Sequence, residues 1–94
     1  MNILQKAYNL IKQNIDFVLF KRKFNAWFEQ YKIELEESII AYDDDIISYI
    51  SRHNFNEAFN RFWYKQNAVQ KLKLLPEFKS TVLNEIKNHE TNDN

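Results

Sequence analysis

Three successive carboxylates, Asp43, Asp44 and Asp45, are the densest group of potential ligand atoms in the chain. Calcium loops space their carboxylates at alternate positions and turn on a glycine. Here the three are adjacent, and the chain has no glycine at all. Adjacent helical residues point about 100° apart, so these side chains cannot converge on one ion. What remains for them is a solvated helix start or an acidic docking surface for a basic partner, with Glu34, Glu36 and Glu37 close by. His53 and Glu57 stand four residues apart, a spacing that helical zinc ligands use. Two ligands do not close a site, and the other histidine, His89, is far along the chain.

Catalytic groups are no better placed. Ser48, Ser51 and His53 are near one another in sequence, but no strand–turn–helix elbow surrounds them. Without glycine, neither an oxyanion loop nor a phosphate-cradling loop can be built. Without cysteine, disulfides, thiolate metal sites and thiol nucleophiles are excluded. The chain is therefore expected to be non-enzymatic, with no cofactor and no metal.

Binding chemistry is better represented. Lys21, Arg22 and Lys23 form a basic cluster beside aromatic residues. Further on, Arg61, Tyr64, Lys65, Ala68 and Lys71 share one helical face, a basic strip carrying a tyrosine. Such groups could hold nucleic-acid phosphates and stack on bases. Trp63 and Tyr64 directly follow Phe62, which widens the aromatic arc of that segment beyond one stripe. Tyr, Trp and Arg are the usual anchors of protein interfaces. On the expected stripe Trp63 lies at the shoulder, touching the core, and Tyr64 lies outside it.

The elements that must carry these residues are helical. With no glycine, one proline and no Asn-Gly or Asp-Gly pair, the chain lacks hairpin chemistry for a sheet. Ile3, Ala7, Leu10, Ile11 and Ile15 repeat at three- and four-residue steps. So do Phe17, Phe20, Phe24, Trp27 or Phe28, Tyr31, Leu35, Ile39, Tyr42, Ile46 and Tyr49 or Ile50. Phe55, Ala58, Phe59, Phe62, Val69 and Leu72 form the next stripe, with Asn54 as its N-cap and Glu57 three residues on. Phe78, Val82, Leu83 and Ile86 form the last. One uninterrupted second helix would be roughly 50 Å long, more than a compact domain of this size needs. The aspartates are good caps and mediocre helix formers, so they are expected to divide it. Pro76 is expected to start the last helix. The predicted architecture is an all-α compact bundle of four to five helices, at about 2–14, 16–42, 44–52, 55–73 and 76–88. A single domain spans 1–88, with a frayed tail at 89–94.

Charge is balanced overall, thirteen basic against thirteen acidic groups, but it is unevenly placed. Residues 1–32 carry a net +4, residues 33–60 a net −6 and residues 61–94 a net +2. That order suits antiparallel helices attracting one another. No apolar run approaches a membrane span, and the absence of cysteine and of a leader pattern points to the cytoplasm. Surface attachment through Ile3, Leu4, Tyr8 and Ile11 ranks last among the readings. The leading expectation is a small protein-binding module of the inhibitor, immunity-type or regulatory and adaptor kind. It would act through Trp63, Tyr64 and Asp43–Asp45 on another protein or on a second copy of itself. The alternative is a nucleic-acid-binding protein using Lys21, Arg22, Lys23, Arg61, Lys65 and Lys71.

Overall fold

The computed structural model of the chain describes residues 17–92, with side chains to residue 88. The expected first helix at 2–14, the break at Asn14–Asp16 and the proposed N-terminal membrane face lie outside them. Within the described residues there are two helices, α1 (Phe17–Ser51) and α2 (Phe55–Asn92), and no strand. The all-α class stands. The bundle of four to five helices does not, because two of the expected breaks are absent.

Asp43–Asp45 lies in the interior of α1, which runs through it without interruption. An aspartate in place of a better helix former costs only a few tenths of a kcal/mol. The stripe on either side continues in step, with Leu35 buried and Tyr42, Ile46 and Tyr49 half-buried. Asp43 is also held by Lys65 on α2, 2.6 Å away. Seam contacts that continue past the aspartates outweigh their weak propensity. Pro76 likewise sits inside α2. It removes the N–H that would bond the Leu72 carbonyl, yet the helix continues through it, with Leu75 buried in one unit and Val82 buried in the other.

The turn between the helices is where the sequence had placed it. The Asn54 N–H donates to the Tyr49 carbonyl (2.9 Å) and the His53 N–H to the Ile50 carbonyl (3.0 Å). These are the two bonds of a Schellman cap. Its left-handed position, normally glycine, is filled by His53 with φ 59°. Histidine is among the few non-glycine residues enriched in that region. Asn54 closes one helix and opens the next: its Oδ1 accepts from the Glu57 N–H at 3.3 Å. One residue thus serves both ends of the turn.

The chain divides into two compact units. Of the described residues, unit 1 holds 17–28 and 76–92, and unit 2 holds 29–75. In unit 1, Val82 and Ile86 are buried, with Phe17, Phe20, Phe24 and Leu83 packed against them. Phe24 stacks on Trp27, and Phe78 stands edge-on to both rings at 6.0 Å. The Lys79 ammonium lies over the buried Phe28 ring at 4.4 Å.

Unit 2 is a helical hairpin around the 52–54 turn. Its buried side chains are Leu35, Ala58, Ala68 and Leu75. On α1 the expected stripe is the one that faces inward. On α2 the expectation holds at Ala58, Val69 and Leu72, which are buried or half-buried, and fails at Phe55, Phe59 and Phe62, which are 63%, 65% and 45% exposed. Arg61, Lys65, Ala68 and Leu75 join Ala58 and Leu72 as the inward positions at three- and four-residue steps. Of the basic strip expected to be available for phosphates, Arg61, Lys65 and Ala68 face inward, and Tyr64 and Lys71 are exposed. Two alanines let the helices approach closely, and long basic stems can cover apolar surface while their charged heads find partners.

The turn supplies a test of this local chemistry. His53→Gly should raise stability by about 1 kcal/mol, since glycine carries no penalty at positive φ. Asn54→Ala should lower it by about 1 kcal/mol. Urea unfolding of the full chain, followed by helical ellipticity, reads both. A His53→Gly variant less stable than its parent would contradict the turn.

Candidate binding cleft on the hairpin

The two flanks of the hairpin seam are marked by consecutive residues. Tyr42 meets Tyr64, ring centroids 6.1 Å apart, while the next residue on each helix, Asp43 and Lys65, forms the ion pair. Because consecutive helical residues diverge by about 100°, these two contacts sit on opposite sides of the seam. The tyrosine pair defines one flank and the ion pair the other.

The tyrosine flank carries an open cleft of about 370 Å³. Its apolar lining is Leu35 and Ala68, its aromatic lining is Tyr42, Trp63 and Tyr64, and Ser38, Asn67 and Lys71 supply polar groups. The hollow has a sequence cause. Ser38 sits between Leu35 and Tyr42 at seam spacing, and Ala68 occupies the corresponding place on α2. Two small residues leave between them the space that the large rings surround. Trp63 and Tyr64 remain 55% and 44% exposed, their rings in an edge contact at 5.6 Å.

The expected roles of this pair are exchanged. Tyr64, thought to lie outside the fold, makes the cross-hairpin ring contact. Trp63, thought to touch the core, stands farther out. The exchange follows from the rotation of α2 that puts Arg61 and Lys65, instead of Phe59 and Phe62, toward α1.

Arg61 turns into the hairpin. Its guanidinium lies near the Tyr49 ring at 5.8 Å and the Tyr64 ring at 6.0 Å. A hydrogen bond with Tyr49, aided by the charges of Asp45 and Glu57, holds its pKa above the ordinary arginine value. Its Nε is buried and makes no hydrogen bond. Lys65 is spent on Asp43. Lys71 is exposed and lines the cleft. Lys21, Arg22 and Lys23 belong to unit 1, with Arg22 and Lys23 exposed.

Of the three aspartates, Asp43 faces Lys65, while Asp44 and Asp45 are exposed. Asp45 follows Tyr42 by one turn, so it borders the tyrosine flank, as its effect on Arg61 also indicates. No group of three or more His, Cys, Asp or Glu side chains among the described residues is placed to hold a metal ion. Nor is any described helix long and apolar enough to cross a membrane. No protein-family model, curated protein or solved structure matches the chain.

Sequence inspection named Trp63, Tyr64 and Lys71 but missed Tyr42, Ser38 and Asn67 as members of the same cleft. The available signal was Ser38, a small polar residue at seam spacing in a stripe of bulky ones.

The two flanks should respond differently to substitution. A double-mutant cycle on Tyr42→Ala and Tyr64→Ala should give a coupling of about 1 kcal/mol, the usual worth of an aromatic pair. The partly exposed Asp43–Lys65 pair, tested as Asp43→Asn and Lys65→Met, should give less than about 1 kcal/mol and fade with added salt. Additive tyrosine substitutions in urea unfolding would contradict the ring contact.

Proposed function

We propose that this chain is a non-enzymatic protein-binding module that uses the tyrosine flank of the hairpin as its docking surface. One observation carries the reading: Trp63 and Tyr64 stand about half exposed at the lip of a cleft whose lining is apolar at Leu35 and Ala68. Exposed Trp and Tyr rings at the lip of a small hollow that offers both apolar and polar groups suit an anchoring side chain of a partner.

The charges around the cleft suggest the chemistry of that partner. Asp45 is exposed at the turn-ward end and Glu34 lies one turn before Ser38, while Lys71 is the one charged side chain in the lining itself. A partner segment that sets one apolar or aromatic side chain among basic residues would be matched in both respects. Acidic groups bordering the cleft would steer such a segment and fix its orientation. Inhibitor, immunity-type and adaptor proteins all work by docking of this kind. Arg61 and Lys65 are engaged internally, which leaves the protein reading better supported than a phosphate-binding one.

The test is site-specific photo-crosslinking. With p-benzoylphenylalanine in place of Trp63, irradiation of cells expressing the full chain should yield an adduct with a different protein. Tyr64→Ala in the same chain should remove the adduct while leaving the helical spectrum intact. Adducts that survive Tyr64→Ala, or none at all, would contradict the cleft as a docking site.

A further inference from the structure

The opposite flank of unit 2 carries a second surface, independent of the cleft. Ile50 follows Asp43 by seven residues and Phe62 precedes Lys65 by three, so both lie on the flank that the Asp43–Lys65 pair marks. Phe55 and Phe59 share the face of Phe62 at seven- and three-residue steps. Ile47 extends the apolar surface around α1. Ile47 is 67% and Ile50 50% exposed, so five large apolar side chains near the turn are half or more open to solvent or close to it.

We propose that this flank pairs with the same flank of a second copy, so that two hairpins close into a four-helix bundle. The first argument is the size of each hairpin's own core. The buried side chains of unit 2 are two leucines and two alanines. So small a core in a short segment ordinarily requires a staple, a metal or oligomerisation. The chain has no cysteine, and no metal-holding cluster occurs among the described residues.

The second argument is area. An aromatic residue offers on the order of 200 Å², so the exposed parts of these five side chains amount to roughly 500 Å² per copy. Two copies would bury about 1,000 Å² between them before their neighbours are counted, the level at which specific interfaces begin.

The third argument is charge. Asp43 and Lys65, which border the patch, neutralise each other within one copy, and the chain's net charge is zero. A two-fold contact sets each patch against itself, which demands a surface without net charge. This one is apolar and neutral, unlike the acid-bordered cleft on the other flank. Helical hairpins stacked in this way reproduce the ordinary crossing geometry of four-helix bundles.

Sedimentation equilibrium on the full chain should give twice the mass of 11.5 kDa. Ile47→Asp with Phe59→Asp should weaken self-association on the order of a hundredfold, as for loss of interface anchors, with helical content retained. Tyr64→Ala should leave the doubled mass unchanged. A monomeric parent chain overturns the proposal, as does a dimer that survives the aspartate pair. A dimer broken by Tyr64→Ala and untouched by the aspartates also overturns it, and would assign self-association to the cleft flank. Should the aspartate variant unfold, the cysteine-free background gives a second route. A short bis-maleimide should join copies of Phe59→Cys and not copies of Asn67→Cys, and the reverse pattern overturns the proposal.

Discussion

A helix that has one partner can bury one stripe. That constraint governs unit 2, where α1 and α2 meet around a three-residue turn and must choose which stripe of each to spend on the other. On α1 the choice is the aromatic and aliphatic series through Tyr31, Leu35, Tyr42 and Tyr49. On α2 it is Ala58, Arg61, Lys65, Ala68, Leu72 and Leu75, a set that is neither the most apolar nor the bulkiest available. What the set offers is closeness and pairing. The alanines bring the backbones together, Tyr49 and Tyr64 receive the Arg61 guanidinium, and Asp43 receives Lys65. The phenylalanines are then left outside.

Both surfaces with a claim to function follow from that arrangement. Turning Lys65 inward carries Tyr64 into contact with Tyr42 on one flank and Phe62 out onto the other. The cleft forms because Ser38 and Ala68 are too small to fill the space that the tyrosines frame. The apolar patch forms because Phe55, Phe59 and Phe62 have no third helix within the hairpin to cover them. A single rotation of α2 about its axis thus produces an aromatic cleft bordered by acids and a neutral apolar face, which suit different occupants.

Much of this was legible in the sequence. The helical class, the inward stripe of α1, the inward place of Ala58 and the capped turn at Asn54 can all be read from residue types and spacing. The helix breaks were misplaced for a physical reason. Asp43–Asp45 and Pro76 are weak local signals, a few tenths to a few kcal/mol, and the length that a compact domain needs points the same way as they do. Burial of side chains on both sides of each overrode them. The inverted face of α2 was hidden for a different reason. Hydrophobicity ranks Phe above Ala and Arg, but a seam between two helices rewards small side chains and paired charges, and only the partner's sequence shows which charges are paired. Tyr42 and Ser38 were visible individually, and their meeting with Tyr64 and Asn67 depended on the register that the turn sets.

The inward orientation of Lys65 is the point on which the flanks, the cleft and the patch all turn. It can be measured on the unaltered protein by zero-length carbodiimide coupling, which joins an amine to a carboxylate already in contact. With the Lys65 Nζ 2.6 Å from the Asp43 carboxylate, peptide mass spectrometry should find an intrachain amide between these two residues. Finding Lys65 unreacted, or joined only to carboxylates elsewhere, would contradict the register and with it the assignment of both surfaces.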